Sequence, residues 1–246
     1  MTNSPAAPLF QPRNSPSPHA ETLSRWHAAA APVTIDALLG NARSLGVVVP
    51  HADDETLGCG GLIAAAADRG LAVHVTVLTD GAASHPGSVQ WPPARLRAHR
   101  RTEAAAVAIL TRGRGTMGFA DAPDGALADY PETADKILGA DLLVTRWQGD
   151  PHPDHQAAFR IARAAAERLG AQLIAFPLWV LTTVDGPPAH RLVACDVDAA
   201  LALKRAALAA HRSQLGNLVE DCRGFVLDDE LQALFVRAEE LYLVIR

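Results

Sequence analysis

The 246-residue sequence predicts an α/β fold of Rossmann-like type, a mostly parallel sheet with helices on both faces. Three observations predict it. Unbroken apolar runs of strand length and β-branched content recur at residues 45–50, 73–79, 142–147, 172–177 and 241–245. Such runs suit strands buried on both faces, which have no polar side to alternate with. Ala-rich stretches of helical length fall between them, at 56–69, 93–110, 153–169 and 198–211. Finally, residues able to do chemistry cluster just after three of the runs, at 51–54, at Asp80-Gly81 and at 150–155. In open α/β sheets that rim, where strands end and the chain turns toward the next helix, is where ligands bind.

Taken in order, residues 1–20 carry Pro5, Pro8, Pro12, Pro16 and Pro18 among Ser and Asn, and read as a flexible arm. They lack the basic start and apolar block of a secretion signal. Residues 21–246 then form a single domain, with no internal repeat. The run 45–50 is the first buried strand, and 56–69 the helix after it. Gly58, Gly60 and Gly61 lie in that helix. They miss the GxGxxG spacing and no phosphate-loop lysine follows, so close backbone packing is the better explanation. Cys59 between them reads as a small packed residue rather than a ligand. The strand 73–79 ends at Asp80-Gly81. In the helix 93–110, Leu96, Arg100, Glu103, Val107 and Leu110 share one stripe. Arg100 and Glu103 therefore sit on an otherwise apolar face, either as a mutual ion pair or with Arg100 reaching a rim pocket. Residues 112–115 and 186–188 have loop composition.

Composition removes several classes of function. The net charge is −5, the sequence pI is about 6.0, and no basic stripe is present, which argues against nucleic acid as a partner. No stretch is apolar for long enough to span a bilayer. Cys59, Cys195 and Cys222 are odd in number and widely spaced, as expected of reduced thiols in a cytoplasmic protein. Scarce aromatics (5%) offer no obvious stacking platform for a long glycan, which favours a small substrate. No Gly-x-Ser-x-Gly elbow appears, which disfavours a serine hydrolase.

Two short runs carry the chemistry: His51-Ala52-Asp53-Asp54-Glu55 and His152-Pro153-Asp154-His155. His51 and Asp54 are three apart where a strand gives way to a helix, so their side chains can converge on one ion. Pro153 suits the first helical position, and His152 and His155 are again three apart. Three imidazole and carboxylate donors with one open position describe a catalytic zinc site, here His51, Asp54 and His155. Iron(II) suits the same donors. Asp53 is the spare carboxylate able to take a proton from water. A protonated His152 would steady an oxyanion or supply the amine's proton, with Asp154 holding its tautomer. Each run has a plainer explanation, as a solvated helix start or a surface His-x-x-His; their pairing at two strand ends outweighs it.

With PHADDETLGCGG followed by PHPDH, the sequence resembles the PIG-L/LmbE-like family of zinc-dependent N-acetyl sugar deacetylases. LTDGAASHPGS, the Arg100-to-Glu103 RxxE, FADAPDG at 119–125 and the late HRSQ at 211–214 extend the resemblance from Leu45 to the C-terminus. It implies zinc at His51, Asp54 and His155, Asp53 as general base, and His152 as oxyanion donor. A small N-acetylated amino sugar or glycoconjugate would be the substrate, with a hydroxyl contact from Asp124 for which Asp121 competes. Ala52 departs from the family's usual proline. Asp150 stands where some members place a tyrosine, putting that group's help in doubt. His211 is assigned no chemistry, and His85 and His99 read as loop and helix-surface residues. Amide hydrolysis on another sugar conjugate, including a thiol conjugate, and a catalytically silent zinc-binding module are the rival readings.

Overall fold

A computed structural model describes residues 18–183, 185–189, 191–216, 218–222 and 224–245. Among them, eight strands form one sheet: β1 (Ala31–Val33), β2 (Ser44–Val49), β3 (Ala72–Thr79), β4 (Thr116–Ala122), β5 (Leu142–Arg146), β6 (Gln172–Phe176), β7 (Arg191–Asp196) and β8 (Glu239–Val244). Their order is β1-β7-β8-β6-β5-β2-β3-β4. All neighbours pair in parallel except β8, which runs antiparallel to both β6 and β7. The helices are α1 (Pro18–Ala29), α2 (Ile35–Leu39), α3 (Asp54–Asp68), α4 (Pro93–Glu103), α5 (Ala106–Leu110), α6 (Pro153–Leu169), α7 (Leu201–Leu208) and α8 (Asp229–Phe235). Among the described residues, no helix is long and apolar enough to cross a membrane.

Every apolar run read as a strand is one, within a residue or two at its ends. The helix read over 93–110 is broken at residues 104–105, and the one over 198–211 opens as a 3-10 turn, Asp198–Ala200, before α7. Residues 18–20, read as the end of the arm, lie in α1; residues 1–17 fall outside the described residues. β1, β4, β7, α1, α2 and α8 are additional to the sequence reading.

The central strand explains the double layering. Val47 and Val49 of β2 join the core under α3 and α5, while Val48 joins the opposite core under α6. Alternate side chains of one strand thus enter two hydrophobic layers, so the run needs no polar residue. From β2 the chain winds outward through β3 to β4 and then returns to β5 on β2's other side. The gap beyond the ends of β2 and β5 is therefore the sheet's switch point, where a crevice opens for ligands.

α3 lies very close to the sheet. A Cβ on Gly58 would stand 2.0 Å from the Phe176 ring, and one on Gly61 would stand 2.5 Å from Val197. That contact distance accounts for glycines that cost a helix interior about 1 kcal/mol each relative to alanine. The helix breaks at Cys59 (φ −145°, ψ 22°), which separates its first turn from the remainder. Glu240 of β8 accepts the freed N–H groups of Gly61 (2.8 Å) and Leu62 (3.0 Å). Lys204 and the Tyr242 hydroxyl hold that carboxylate at 2.6 and 2.7 Å. The second part of α3 thus has a buried N-terminal carboxylate of its own.

Candidate metal centre

The two motifs meet at the switch point. Pro50 and His51 follow β2, and Thr79 at the end of β3 donates both its N–H (3.0 Å) and its hydroxyl (2.8 Å) to Pro50 O. The chain then turns through Asp53 into α3. Beyond β5, His152 caps α6 with Nδ1 accepting the Asp154 N–H at 3.2 Å, and Pro153 occupies the first turn as its fixed φ favours.

His51, Asp54 and His155 converge. His51 Nδ1 lies 3.3 Å from His155 Nε2 and 3.5 Å from Asp54 Oδ2, and His155 Nε2 lies 3.7 Å from Asp54 Oδ2. A tetrahedral ion with bonds of about 2.0–2.1 Å sets its donors roughly 3.3–3.4 Å apart, so this triangle fits zinc. Both imidazoles turn a ring nitrogen inward. Asp150 Oδ1 lies 2.8 Å from His155 Nδ1, which Arg146 also approaches at 2.5 Å; a proton on Nδ1 directed to Asp150 leaves Nε2 free to coordinate. His51 Nε2 faces Asp124 Oδ1 (3.2 Å) and Asp154 Oδ2 (3.3 Å), leaving Nδ1 to coordinate. His51, His152 and Asp154 form a second group of nearby donors. It would need His51 Nε2, which the two carboxylates already engage, so the first group is the better cradle.

Charge favours a cation there. Asp53, Asp54, Asp124, Asp150 and Asp154 outnumber Arg100 and Arg146. Burial opposes a charged His51, yet Asp124, Asp154 and Asp54 outweigh it and raise its pKa well above the usual imidazole value. Burial would also raise Asp54, but Arg146, His155 and His51 hold it far below the carboxylate range. His155 is depressed to about 4, by burial first and by Arg146 second, and so is neutral and able to ligate at pH 7.

Asp53 is the strained residue of the site. Its φ of 141° and ψ of −31° are sparsely populated for a residue with a Cβ, a conformation that costs about 1–3 kcal/mol. Buried Glu55 accepts the Asp53 N–H at 3.0 Å and so holds that conformation. Behind it stands fully buried His211, 3.5 Å from Glu55 Oε1 and 3.2 Å from Thr56 Oγ1. Arg100 donates to Ala52 O at 2.7 Å and lies 3.7 Å from Asp53 Oδ1. Burial pushes Asp53 up to about 6, against Arg100 and with the help of Asp54.

Several expectations change. The Asp154 carboxylate does not hold His152: backbone N–H groups of Gly125 (2.8 Å) and Leu127 (3.1 Å) draw it to His51 instead. Burial and then His51 lower the pKa of His152, so its ring is neutral near pH 7 rather than protonated. Its Nδ1 accepts the Asp154 N–H, which assigns the ring proton to Nε2. Arg100 and Glu103 turn to different partners: Glu103 receives Ser213 N (2.5 Å), Ser213 Oγ (2.7 Å) and His99 (3.0 Å). Asp124 is at the centre, whereas exposed Asp121 pairs with Arg101. Asp150 is a hub in the interior, receiving Arg146 (2.6 Å), Trp179 N (2.9 Å) and His152 N (3.2 Å) besides His155. His85 lies in a loop, as read, and is buried there.

Sequence reasoning missed His211, Gln214, Trp179 and Phe225. A cavity of about 340 Å³ is lined by His51, Asp53, Asp54, His152 and His155, by Arg100 and Asp124, and also by Ala83, Ser84, Gln214, Trp179 and Phe225. The HRSQ string was the available signal for the first two. Trp179 and Phe225 sit in segments without periodicity.

Comparisons with known proteins place the chain in a family. The family model described as PIG-L, GlcNAc-PI de-N-acetylase, matches residues 46–166, which contain both motifs. The 2'-N-acetylparomamine deacetylase of Streptomyces fradiae is 35% identical over 124 residues, 47% of this chain and 44% of that protein, so the match spans less than half of that relative. The conserved protein TT1542 from Thermus thermophilus is 31% identical with a TM-score of 0.55, covering 70% of this chain and 80% of that one. N,N'-diacetylchitobiose deacetylase from Pyrococcus horikoshii shares the fold at 18% identity with a TM-score of 0.62, covering 84% and 85% of the two chains. The chain belongs to the PIG-L family.

Proposed function

We propose that the chain is a zinc-dependent hydrolase that removes the acetyl group from an N-acetylated amino sugar or its conjugate. One observation carries the reading: the donor triangle of His51, Asp54 and His155 shares a cavity with the Asp53 carboxylate, 3.7 Å from Arg100, and with the His152 imidazole. His51, Asp54 and His155 would hold the metal. Zinc, when bound, supplies a Lewis acid for the amide carbonyl and a water acidified to about pKa 7; iron(II) is the alternative for the same donors.

The chain's own groups supply the remaining chemistry. The Asp53 carboxylate accepts a proton from the attacking water. With a pKa of about 6, it is basic enough to take that proton and acidic enough to return it to the departing amine nitrogen. Neutral His152 would donate a hydrogen bond from its Nε2–H to the oxygen of the amide as negative charge grows there, keeping its proton. Arg100 fixes the loop that carries Asp53 and, with Asp124, faces the substrate's hydroxyl groups. Asp150, Asp154 and Asp124 hold the two ligand imidazoles in their coordinating tautomers. The 2'-N-acetylparomamine deacetylase similarity supports an amino-sugar substrate. A cytoplasmic location fits three free cysteines.

The test is acetate release from a panel of N-acetyl amino sugars by wild type and Asp53→Asn, with metal content measured in both. The reading expects a loss of at least about a hundredfold at equal metal content. Equal rates would remove Asp53 from the mechanism, and no release from any sugar would remove the deacetylase reading.

A further inference from the structure

We propose that Trp179 and Phe225 form an aromatic platform for the apolar face of one sugar ring, making this site selective for an N-acetylated pyranose. The inference rests on the hydrolase reading above and names the class of substrate. Both residues line the cavity that holds the donor triangle. Their rings meet edge to face at 5.3 Å and 75°, and Phe235 backs Trp179 at 5.4 Å and 87°.

The platform is fixed relative to the metal cradle. Asp150 joins the two: one carboxylate oxygen takes the Trp179 N–H at 2.9 Å, and the other orients His155 at 2.8 Å. Phe225 is fastened from the other direction, its N–H donating to Ser84 O at 3.1 Å. Nearby, Asp221 receives Ser88 Oγ (2.6 Å), Val89 N (2.8 Å) and Gln90 N (2.9 Å), clasping the loop before Phe225 to the loop after Ser84. Gly224 packs so closely on His85 that a Cβ would stand 2.1 Å from its ring. A wall held in place by such contacts needs little ordering when ligand arrives.

Size and polarity choose the ligand. About 340 Å³ is near the lower end of the roughly 300–1,000 Å³ usual for ligand pockets, which suits one ring better than a long glycan. Arg100, Asp124, Ser84 and Gln214 share the cavity with the aromatic pair. A pyranose offers hydroxyls to such groups and a C–H face to the rings. An alkyl chain would cover the polar groups without bonding them, at a cost.

Calorimetric titration of the methyl glycoside of N-acetylglucosamine into zinc-loaded Asp53→Asn protein tests this without turnover. Adding Trp179→Ala or Phe225→Leu should weaken binding about three- to tenfold at unchanged zinc content, with Trp179→Phe restoring most of the loss. Phe225→Leu keeps the site apolar and serves if Trp179→Ala does not fold. Unchanged affinity in these variants overturns the platform. Tighter, Trp179-dependent binding of an N-octanoyl analogue also overturns it, by assigning the wall to an acyl chain. Acetate release by wild type from the same glycoside separates the two readings. Release with Trp179-independent binding removes the platform alone. Trp179-dependent binding without release removes hydrolysis and keeps the platform.

Discussion

Replacing Asp150 by Asn probes the proposed metal cradle without touching a proposed ligand. The carboxylate accepts four hydrogen bonds: His155 Nδ1 and His152 N at one oxygen, Arg146 and Trp179 N at the other. An amide has one acceptor oxygen. If that oxygen stays with Arg146 and Trp179, its NH2 group faces His155 Nδ1, and relief of the clash requires the ring proton to move to Nε2. His155 then presents an N–H where it should present a lone pair. In the other orientation fully buried Arg146 and half-buried Trp179 N lose their acceptor, the former at a cost of about 1–3 kcal/mol. Loss of such an orienting partner lowers metal affinity about 10- to 100-fold, roughly 1.4–2.8 kcal/mol. Competition against a chromophoric chelator measures it, with circular dichroism as the check on folding. Zinc affinity within twofold of wild type in a folded Asp150→Asn protein would refute the argument.

Three further outcomes are expected. Gly58→Ala forces a methyl group to within 2.0 Å of the Phe176 ring and should cost about 1–3 kcal/mol in urea unfolding; a loss under about 0.5 kcal/mol would mean that α3 stands farther from β6. Burial disfavours charged His211, but Glu55 outweighs it and raises the folded-state pKa above 6.5, so its stabilisation is complete below pH 6.5 and is lost as pH rises through the folded value. The stability gap between wild type and His211→Gln should therefore be wider at about pH 6 than at about pH 9.5, and a gap that widens with pH would contradict this. Burial pushes the Cys195 thiol up to about 12 and Cys59 well above its usual value, whereas Cys222 is half-buried. A thiol reagent at about pH 8 should thus label Cys222 in the native protein and the other two only after unfolding.

The central sheet was legible because β2, β3, β5, β6 and β8 are buried and their pattern is unbroken. β4, Thr116–Ala122, was not: it is a half-exposed edge strand containing Gly118 and Asp121, with little β propensity. β1 has three residues, too few for any period to register. At the site, the candidate donors and their spacing were readable because His51 and Asp54, like His152 and His155, are neighbours on a local turn. The partners of those groups were not readable. Asp154 lies beside His152 in sequence, but its carboxylate direction is set by the backbone of Gly125 and Leu127. Glu55 meets His211 from the far part of the chain, and Phe225 reaches the cavity through a loop. Such contacts follow from topology and leave no periodic trace. The inward stripe of α4 was visible, yet not that Arg100 and Glu103 would part toward Asp53 and Ser213.

The most direct measurement is X-ray absorption at the zinc edge of the loaded protein, with stoichiometry from metal analysis. The account predicts one zinc per chain, N/O donors at about 2.0–2.1 Å, multiple scattering from two imidazoles and no sulfur. A sulfur shell at about 2.3 Å, which would bring Cys59 into the coordination sphere, or a single imidazole would contradict it.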